Sequence, residues 1–196
     1  GIQAGALQFY STPLSSGVPT SYNLTGGSIT LGSPSTVAGS IFVTAGEAVT
    51  IGSQITGSSV LTRTGGGVLY LTGSNNYSGA TILNGGVTVI TSGSAVNSGT
   101  IYINGNENRG GNDSTTFGVP TYGGGQLEIG GNASISSNIF VSGGGPMGDG
   151  SALVLSGFNT LSGTVSALTA GQGTRMTTSQ IGTTTFSGAL VVQDST

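Results

Sequence analysis

An internal repeat constrains the fold of this chain more than any other feature of its sequence. Residues 69–79 read LYLTGSNNYSG and residues 153–163 read LVLSGFNTLSG, so six of eleven positions are identical at an offset of 84. Residues 51–67 and 129–145 also correspond, at an offset of 78, and both begin with Ile-Gly and end with Gly-Gly-Gly. The difference between these two offsets predicts a loop insertion at 146–151.

The repeat predicts two copies of one multi-strand unit. We place the copies at about 47–105 and 125–196, with a polar, glycine-rich excursion at 106–124 between them. Residues 1–27 are expected to form an N-terminal strand or cap segment ahead of a repetitive domain that covers residues 28–196. Units that repeat in this way stack so that each covers its neighbour, which favours a solenoid.

Short apolar runs of period two recur along the chain and are separated by Gly, Asn and Ser turns. The clear runs are Ile29–Leu31, Ile41–Val43, Val49–Ile51, Leu69–Leu71, Val87–Val89, Ile101–Ile103, Leu127–Ile129, Ile139–Val141, Leu153–Leu155 and Ala189–Val192. Each run provides about two inward positions, which suits a β-solenoid better than a large sandwich. We therefore predict an all-β fold, with a β-sandwich or barrel as the alternative to the solenoid.

The composition excludes most kinds of chemistry. The chain has no His, Cys, Lys or Trp, which removes imidazole bases, thiolate metal sites, disulfides and Schiff bases. Its positive charges are three Arg residues, too few to neutralise a phosphate backbone, so we expect no nucleic-acid partner. No apolar run approaches the roughly 20 residues of a membrane-spanning helix, so we expect no membrane insertion of this chain. Because it starts at Gly1 rather than Met, we expect a processed product or a fragment.

About forty residues from Gly65 onward carry a recognisable motif. Three glycines precede a Leu-rich run, a Thr-Gly-x-Asn-x-Tyr-Ser-Gly segment, a second strand and an Asn-Gly-Gly turn. This pattern resembles the autotransporter-associated β-strand repeat, also called the passenger-associated transport repeat. The positions that carry the resemblance are Gly73, Asn75, Tyr77 and Gly79, and in a degraded second copy Gly157, Asn159 and Gly163, where Leu161 replaces the Tyr.

The resemblance implies a right-handed parallel β-helix in the exported passenger of a bacterial surface protein. It implies no catalytic residue, because the motif is architectural. Within the motif we expect Asn75 to stack on equivalent Asn residues or to cap its own turn. Gly73 and Gly79 are expected to allow a positive φ or a close approach of the backbone, and Tyr77 is expected to pack at a corner rather than contact a ligand.

Two groups of polar residues are candidates for functional sites. The six carboxylates are scattered, and Glu128 lies between two inward positions, so we expect solvated acids, no enzyme activity and no cofactor. Oxygen ligands alternate in the 104–113 segment as they do in calcium loops, and the calcium candidates there are Asn104, Asn106, Asn108 and Asp113. This segment lacks the several Asp residues that such loops use, so we favour a polar surface loop.

The two ends of the chain are apolar, strand-like and free of Lys, which commonly protects exposed strand edges. The self-association candidates there are Leu7, Phe9, Tyr10, Phe186, Leu190 and Val192. We therefore expect a non-enzymatic structural protein that forms a head-to-tail homopolymer in a bacterial surface fibre or layer outside the cell. The alternative is a passenger module of an adhesin, whose loops contact host or matrix glycans or the cell surface.

Overall fold

The computed structural model describes residues 1–10, 21–32, 39–96, 99–105, 124–146, 150–169, 174–178 and 182–194. Regular structure in these ranges consists of twenty-one short strands and one 3₁₀ turn at Gly93–Ala95. The predicted all-β class is therefore confirmed. The strands are β1 (Ile2–Ala4), β2 (Ala6–Phe9), β3 (Ser21–Leu24), β4 (Ser28–Leu31), β5 (Gly39–Val43), β6 (Ala48–Ile51), β7 (Gln54–Thr56), β8 (Leu61–Thr64), β9 (Val68–Leu71), β10 (Thr81–Leu83), β11 (Gly85–Ile90), β12 (Ile101–Asn104), β13 (Gly124–Ile129), β14 (Ser134–Ile135), β15 (Ile139–Ser142), β16 (Leu153–Leu155), β17 (Asn159–Leu161), β18 (Val165–Thr169), β19 (Met176–Thr178), β20 (Thr184–Phe186) and β21 (Leu190–Asp194).

The strands form four sheets that the chain visits in turn. An eight-stranded sheet has the order β2-β5-β8-β10-β12-β15-β18-β21, and a seven-stranded sheet has the order β3-β6-β9-β11-β13-β16-β19. Two three-stranded sheets, β1-β4-β7 and β14-β17-β20, receive strands early and late in the chain. Each pass of the chain adds one strand to the eight-stranded sheet and then, for all but the last strand, one to the seven-stranded sheet.

All named strand pairings in the described residues are parallel. Strands adjacent in sequence are therefore not paired with each other, and Leu61, for example, pairs with Thr81 in a later pass of the chain. Sandwich sheets are built mainly from antiparallel neighbours joined by hairpins and Greek-key connections, an arrangement that these pairings do not show.

The sequence repeat matches the strand order. In the seven-stranded sheet, Leu69 is connected to Leu153 by three pairing steps, through Thr88 and Leu127, which accounts for the offset of 84. In the eight-stranded sheet, three steps lead from Leu61 to Ile139, which accounts for the offset of 78. The extra residues lie between β15 and β16, where the isolated antiparallel bridge between Gly144 and Ser151 closes a small loop.

Alternate residues of strands from all four sheets form one hydrophobic core. In the eight-stranded sheet an inward row runs Leu7, Ile41, Arg63, Leu83, Ile103, Val141, Ala167 and Val192. In the seven-stranded sheet an inward row runs Tyr22, Val49, Leu69, Thr88, Leu127, Leu153 and Met176. Side chains of one row stack at the spacing of adjacent strands, about 4.8 Å.

Strand β11 departs from the period-two pattern expected from its apolar residues. Thr88 and Ile90 are buried, whereas Val87 and Val89 lie on the outward side and are only partly covered. The register is fixed by the neighbours, because Thr88 and Ile90 pair with Leu69 and Leu71 in β9. A strand in the middle of a sheet follows the face chosen by the strands on both sides.

Candidate functional site: motif ladders and terminal strands

The asparagines of the motif connect successive passes of the chain. The Asn75 side-chain oxygen accepts a hydrogen bond from the Ile55 backbone N–H at 2.7 Å, and its amide nitrogen donates to the Ala95 carbonyl at 2.7 Å. The Asn159 oxygen accepts from the Ala133 N–H at 3.1 Å, while its nitrogen donates to the Ser156 carbonyl at 2.8 Å. Neither expected role of Asn75 is observed, because its side chain bonds backbone groups of the preceding and following passes. The bond within its own turn is instead made by Asn159, to Ser156.

The motif glycines stand where two passes approach closely. A Cβ atom on Gly79 would overlap the carbonyl of Ser59, and one on Gly163 would overlap the carbonyl of Ser137. Gly73 has the same relation to the carbonyl of Ser53. Gly157 also has a left-handed backbone conformation, with φ at 82°. A side chain there would be strained by this φ and would also overlap the carbonyl of Gly131.

Tyr77 is a packing residue at the corner before β10. Only 2% of the residue is exposed, and its hydroxyl lies 2.6 Å from the Thr81 hydroxyl in a buried hydrogen bond. Leu161, which takes the Tyr position in the second copy, is also buried. The exchange of Tyr for Leu keeps the apolar packing and removes the hydroxyl pair.

Arg63 is the largest fully buried side chain, a feature that the sequence analysis missed. It occupies the inward row between Ile41 and Leu83, and its guanidinium donates to the backbone carbonyls of Thr64, Gly65 and Gly67. Burial lowers the pKa of Arg63 to about 10, so the group remains a cation at neutral pH. These carbonyl dipoles supply the hydrogen bonds that a buried cation requires.

In the part of the chain that the structure describes, two buried side-chain polar atoms have no hydrogen-bond partner, the Arg63 Nε and the Thr88 Oγ1. Gly86 lies beside the guanidinium, and a Cβ there would contact an Arg63 terminal nitrogen at 2.6 Å. Gly86 also has φ at 61°. The Asn-Gly-Gly turn therefore makes room for the arginine of the preceding pass.

The acidic and calcium candidates are not brought together in the described part of the chain. Glu47 is buried at the turn before β6, and Glu128 is half-buried on the outward side of β13. Asn104 is exposed and its amide donates to the Asn84 side-chain oxygen at 2.7 Å, whereas Asn106, Asn108 and Asp113 lie outside the described residues. Among the residues that the structure describes, no three His, Cys, Asp or Glu side chains cluster as metal ligands.

Five of the six self-association candidates lie on terminal strands and Tyr10 directly follows β2, but the six differ in exposure. Leu190 and Val192 are exposed, at 49% and 67%, as is Tyr10 at 53%. Leu7 and Phe186 are half-buried against the core. Phe9 is buried, with its ring 5.3 Å from that of Tyr22, so it supports the first pass rather than offering a contact surface.

Among the described residues, no helix is long and apolar enough to span a membrane. Comparison with protein-family models, with curated proteins and with solved structures finds no match to this chain.

Proposed function

We propose that the chain is a right-handed parallel β-solenoid that works as a non-enzymatic structural subunit and assembles head to tail through its terminal strands. The bacterial, extracellular fibre or layer in this proposal follows from the resemblance of the motif around Asn75. Right-handedness follows from the strong preference of crossovers between parallel strands of one sheet.

One observation carries the proposal: the inward rows of the core continue into the terminal strands. The row that begins at Leu7 ends at Val192, which is 67% exposed although every residue between them on the row is buried. Polar caps normally close the ends of repeat folds. Among the described residues, β2 and β21 are the outermost strands of the eight-stranded sheet, and the inward row is less covered at both of them than between them.

The two ends fit each other in direction and in register. All strands of the eight-stranded sheet run parallel, so β2 of one copy continues the sheet beyond β21 of another without a change of direction. If the rows are continued, Val192 faces Leu7 in the core and Gln193 faces Gln8 on the outside. Strand addition of this kind supplies backbone hydrogen bonds as well as apolar contact.

A double cysteine variant tests this register in a chain that has no cysteine of its own. In Gln8→Cys/Gln193→Cys the two thiols come from neighbouring copies and lie on the outward side, at the strand spacing of about 4.8 Å that a disulfide accepts. Oxidation is expected to give a ladder of covalent oligomers on a non-reducing gel.

The matched control is Gln8→Cys/Val192→Cys, in which one thiol faces outward and the other inward. It is expected to give no ladder. Equal ladders from both variants, or none from either, would contradict head-to-tail pairing in this register. A chain that remains a dispersed short rod at high concentration would favour a passenger spacer with ligand-binding loops instead.

A further inference from the structure

The outward face of the eight-stranded sheet differs from the other long face in its charge. Its two outward rows, which we call the outer face, carry no charged residue among those that the structure describes. They contain Ala6, Ser40, Thr62, Ile82, Tyr102, Phe140, Ser166 and Val191, and Gln8, Phe42, Thr64, Asn104, Ser142, Leu168 and Gln193, with Asn84 next to β10.

Large apolar side chains stand at the middle of the outer face. Tyr102 is 39% exposed, and its ring stacks on that of Phe140 at 5.3 Å with an interplanar angle of 15°. Ile82 precedes Tyr102 in the same row. Exposed apolar patches of this kind mark interaction surfaces, and the cores of interfaces are depleted in charge.

The seven-stranded sheet provides an internal comparison. Its outward row contains Thr50, Tyr70, Val89 and Val154, but Glu128 lies between the two valines. Packing that face against another surface would bury a carboxylate, which is costly unless the charge is paired. The outer face of the eight-stranded sheet has no such obstacle.

We infer that the outer face is a lateral association surface for a second copy of this chain, an inference that rests on the proposed head-to-tail assembly. A face without charges gives no electrostatic attraction to nucleic acid or to an anionic membrane. A second copy presents the same uncharged surface, in which Ile82, Tyr102 and Phe140 lie among Ser, Thr, Asn and Gln side chains, and like faces pair about a two-fold axis in isologous contacts.

The area of the outer face explains why lateral contact depends on end-to-end assembly. Eight strands at about 4.8 Å and a width of about 13 Å give roughly 500 Å² for each copy, or about 1,000 Å² for a pair. Stable interfaces bury about 1,200–2,000 Å² in total. Two single copies therefore associate weakly, whereas rods of several copies add their faces together and bind through multivalency.

A charge placed on the outer face tests the inference. In Thr62→Lys the new ammonium lies on the outer face, next to Ser40 and Ile82 in its row. Thr50→Lys is the matched control, because Thr50 is an equally half-buried outward threonine on the seven-stranded sheet. Negative-stain electron microscopy measures whether each protein forms rods and whether the rods lie side by side.

We expect bundled rods from the unmodified chain and from Thr50→Lys, and rods of the same length but one subunit wide from Thr62→Lys. Because the face has no charges, bundling of the unmodified chain should persist in high NaCl. Single rods from the unmodified chain, or bundles from Thr62→Lys, would overturn the lateral contact and leave head-to-tail assembly intact. A complete absence of rods would refute both.

A polysaccharide is the competing occupant of an aromatic, uncharged face. If unmodified rods stay single but sediment with insoluble polysaccharide particles, and Thr62→Lys rods do not, the face belongs to a glycan and the inference fails. Thr50→Lys again serves as the control for a general effect of the added charge.

Discussion

At the scale of single residues, close approach between passes decides which positions require glycine. Gly79 faces the Ser59 carbonyl so closely that any Cβ would overlap it, whereas a Cβ on Gly52 would meet its nearest atom, the Thr72 hydroxyl oxygen, at 3.4 Å. We expect Gly79→Ala to lower the free energy of unfolding by about 1–3 kcal/mol through overpacking.

Gly52→Ala is the control for that substitution. Its effect should be small or slightly stabilising, because an alanine that meets no steric conflict in the folded state lowers the conformational entropy of the unfolded chain. Chemical denaturation of both variants measures the difference. Equal losses of stability would show that the close approach at Ser59 does not restrict this position.

Two inward threonines separate the effect of a hydroxyl from that of its hydrogen bond. Thr88 and Thr81 are both buried, but the Thr88 oxygen has no partner among the described residues while the Thr81 oxygen bonds Tyr77 at 2.6 Å. Replacement by Val keeps the shape of either side chain. Thr88→Val is expected to raise the free energy of unfolding by about 1–2 kcal/mol, because it removes an unsatisfied polar group.

Thr81→Val is expected to lower the same quantity by about 1–2 kcal/mol, because it leaves the buried Tyr77 hydroxyl without this hydrogen bond. Thermal unfolding of the two variants beside the unmodified chain measures both changes. A loss of stability in Thr88→Val as large as that in Thr81→Val would mean that the Thr88 hydroxyl has a partner in solution.

Arg63 shows why the sequence leaves some inward positions unassigned. In the segment Leu61-Thr-Arg63-Thr the period of two places Arg63 on the same side as buried Leu61. A charged residue nevertheless indicates an exposed position when it is read alone. The carbonyls that accept its hydrogen bonds belong to the glycine-rich turn that follows, and their orientation becomes visible only in the folded chain.

At the scale of strands, alternation and repetition predicted more of the fold than local propensity. Three predicted runs lie within strands of the structure, and the first and last residue of each run are buried: Ile41–Val43, Leu127–Ile129 and Ile139–Val141. The face of β11 was not predictable from its own residues, because register with β9 and β13 places Thr88 and Ile90 inside.

The two three-stranded sheets were the least predictable part of the fold. Strands β14 and β17 are short, and next to β7 the Asn75 side chain, rather than a paired strand, bonds the backbone of Ile55 and of Ala95. Side-chain bridges of this kind leave no periodic signal in the sequence. The motif marked Asn75 and Asn159 as special, while the identity of their partners required the structure.

A charge placed at the exposed end of the inward row in β21 tests the proposed head-to-tail contact. Val192→Lys places an ammonium where the inward row would continue into the next copy, which is the device that natural edge strands use against pairing. We expect this variant to remain monomeric and to keep its secondary structure, because Val192 is already 67% exposed. Gln193→Lys, on the outward side of the same strand, should still form head-to-tail rods, and because Gln193 belongs to the outer face these rods are expected to stay single.

Sedimentation velocity and far-ultraviolet circular dichroism provide the two readouts for this pair. If Val192→Lys assembles as fully as the unmodified chain, the end of the inward row in β21 is not part of the contact. Loss of assembly in both variants would indicate a general effect of the added charge rather than a specific junction.

At the scale of the whole molecule, the proposed head-to-tail assembly implies a definite length for each copy in the rod. The eight-stranded sheet contains eight strands, and at about 4.8 Å per strand each copy would add about 38 Å along the axis. An end-to-end polymer that continues this sheet is therefore expected to show an axial repeat of this one-subunit length together with a strong reflection at the strand spacing.

Averaged electron micrographs measure the subunit repeat, and fibre diffraction of aligned material measures the strand spacing. Both quantities are needed, because amyloid-like aggregation of unfolded chains also gives the strand spacing but has no subunit repeat of this length. A meridional reflection at the strand spacing without the subunit repeat would thus contradict assembly of folded subunits. A subunit repeat that disappears in Val192→Lys would connect the fibre to the β21 edge, because Val192 ends the inward row that a junction through this strand continues into the next copy.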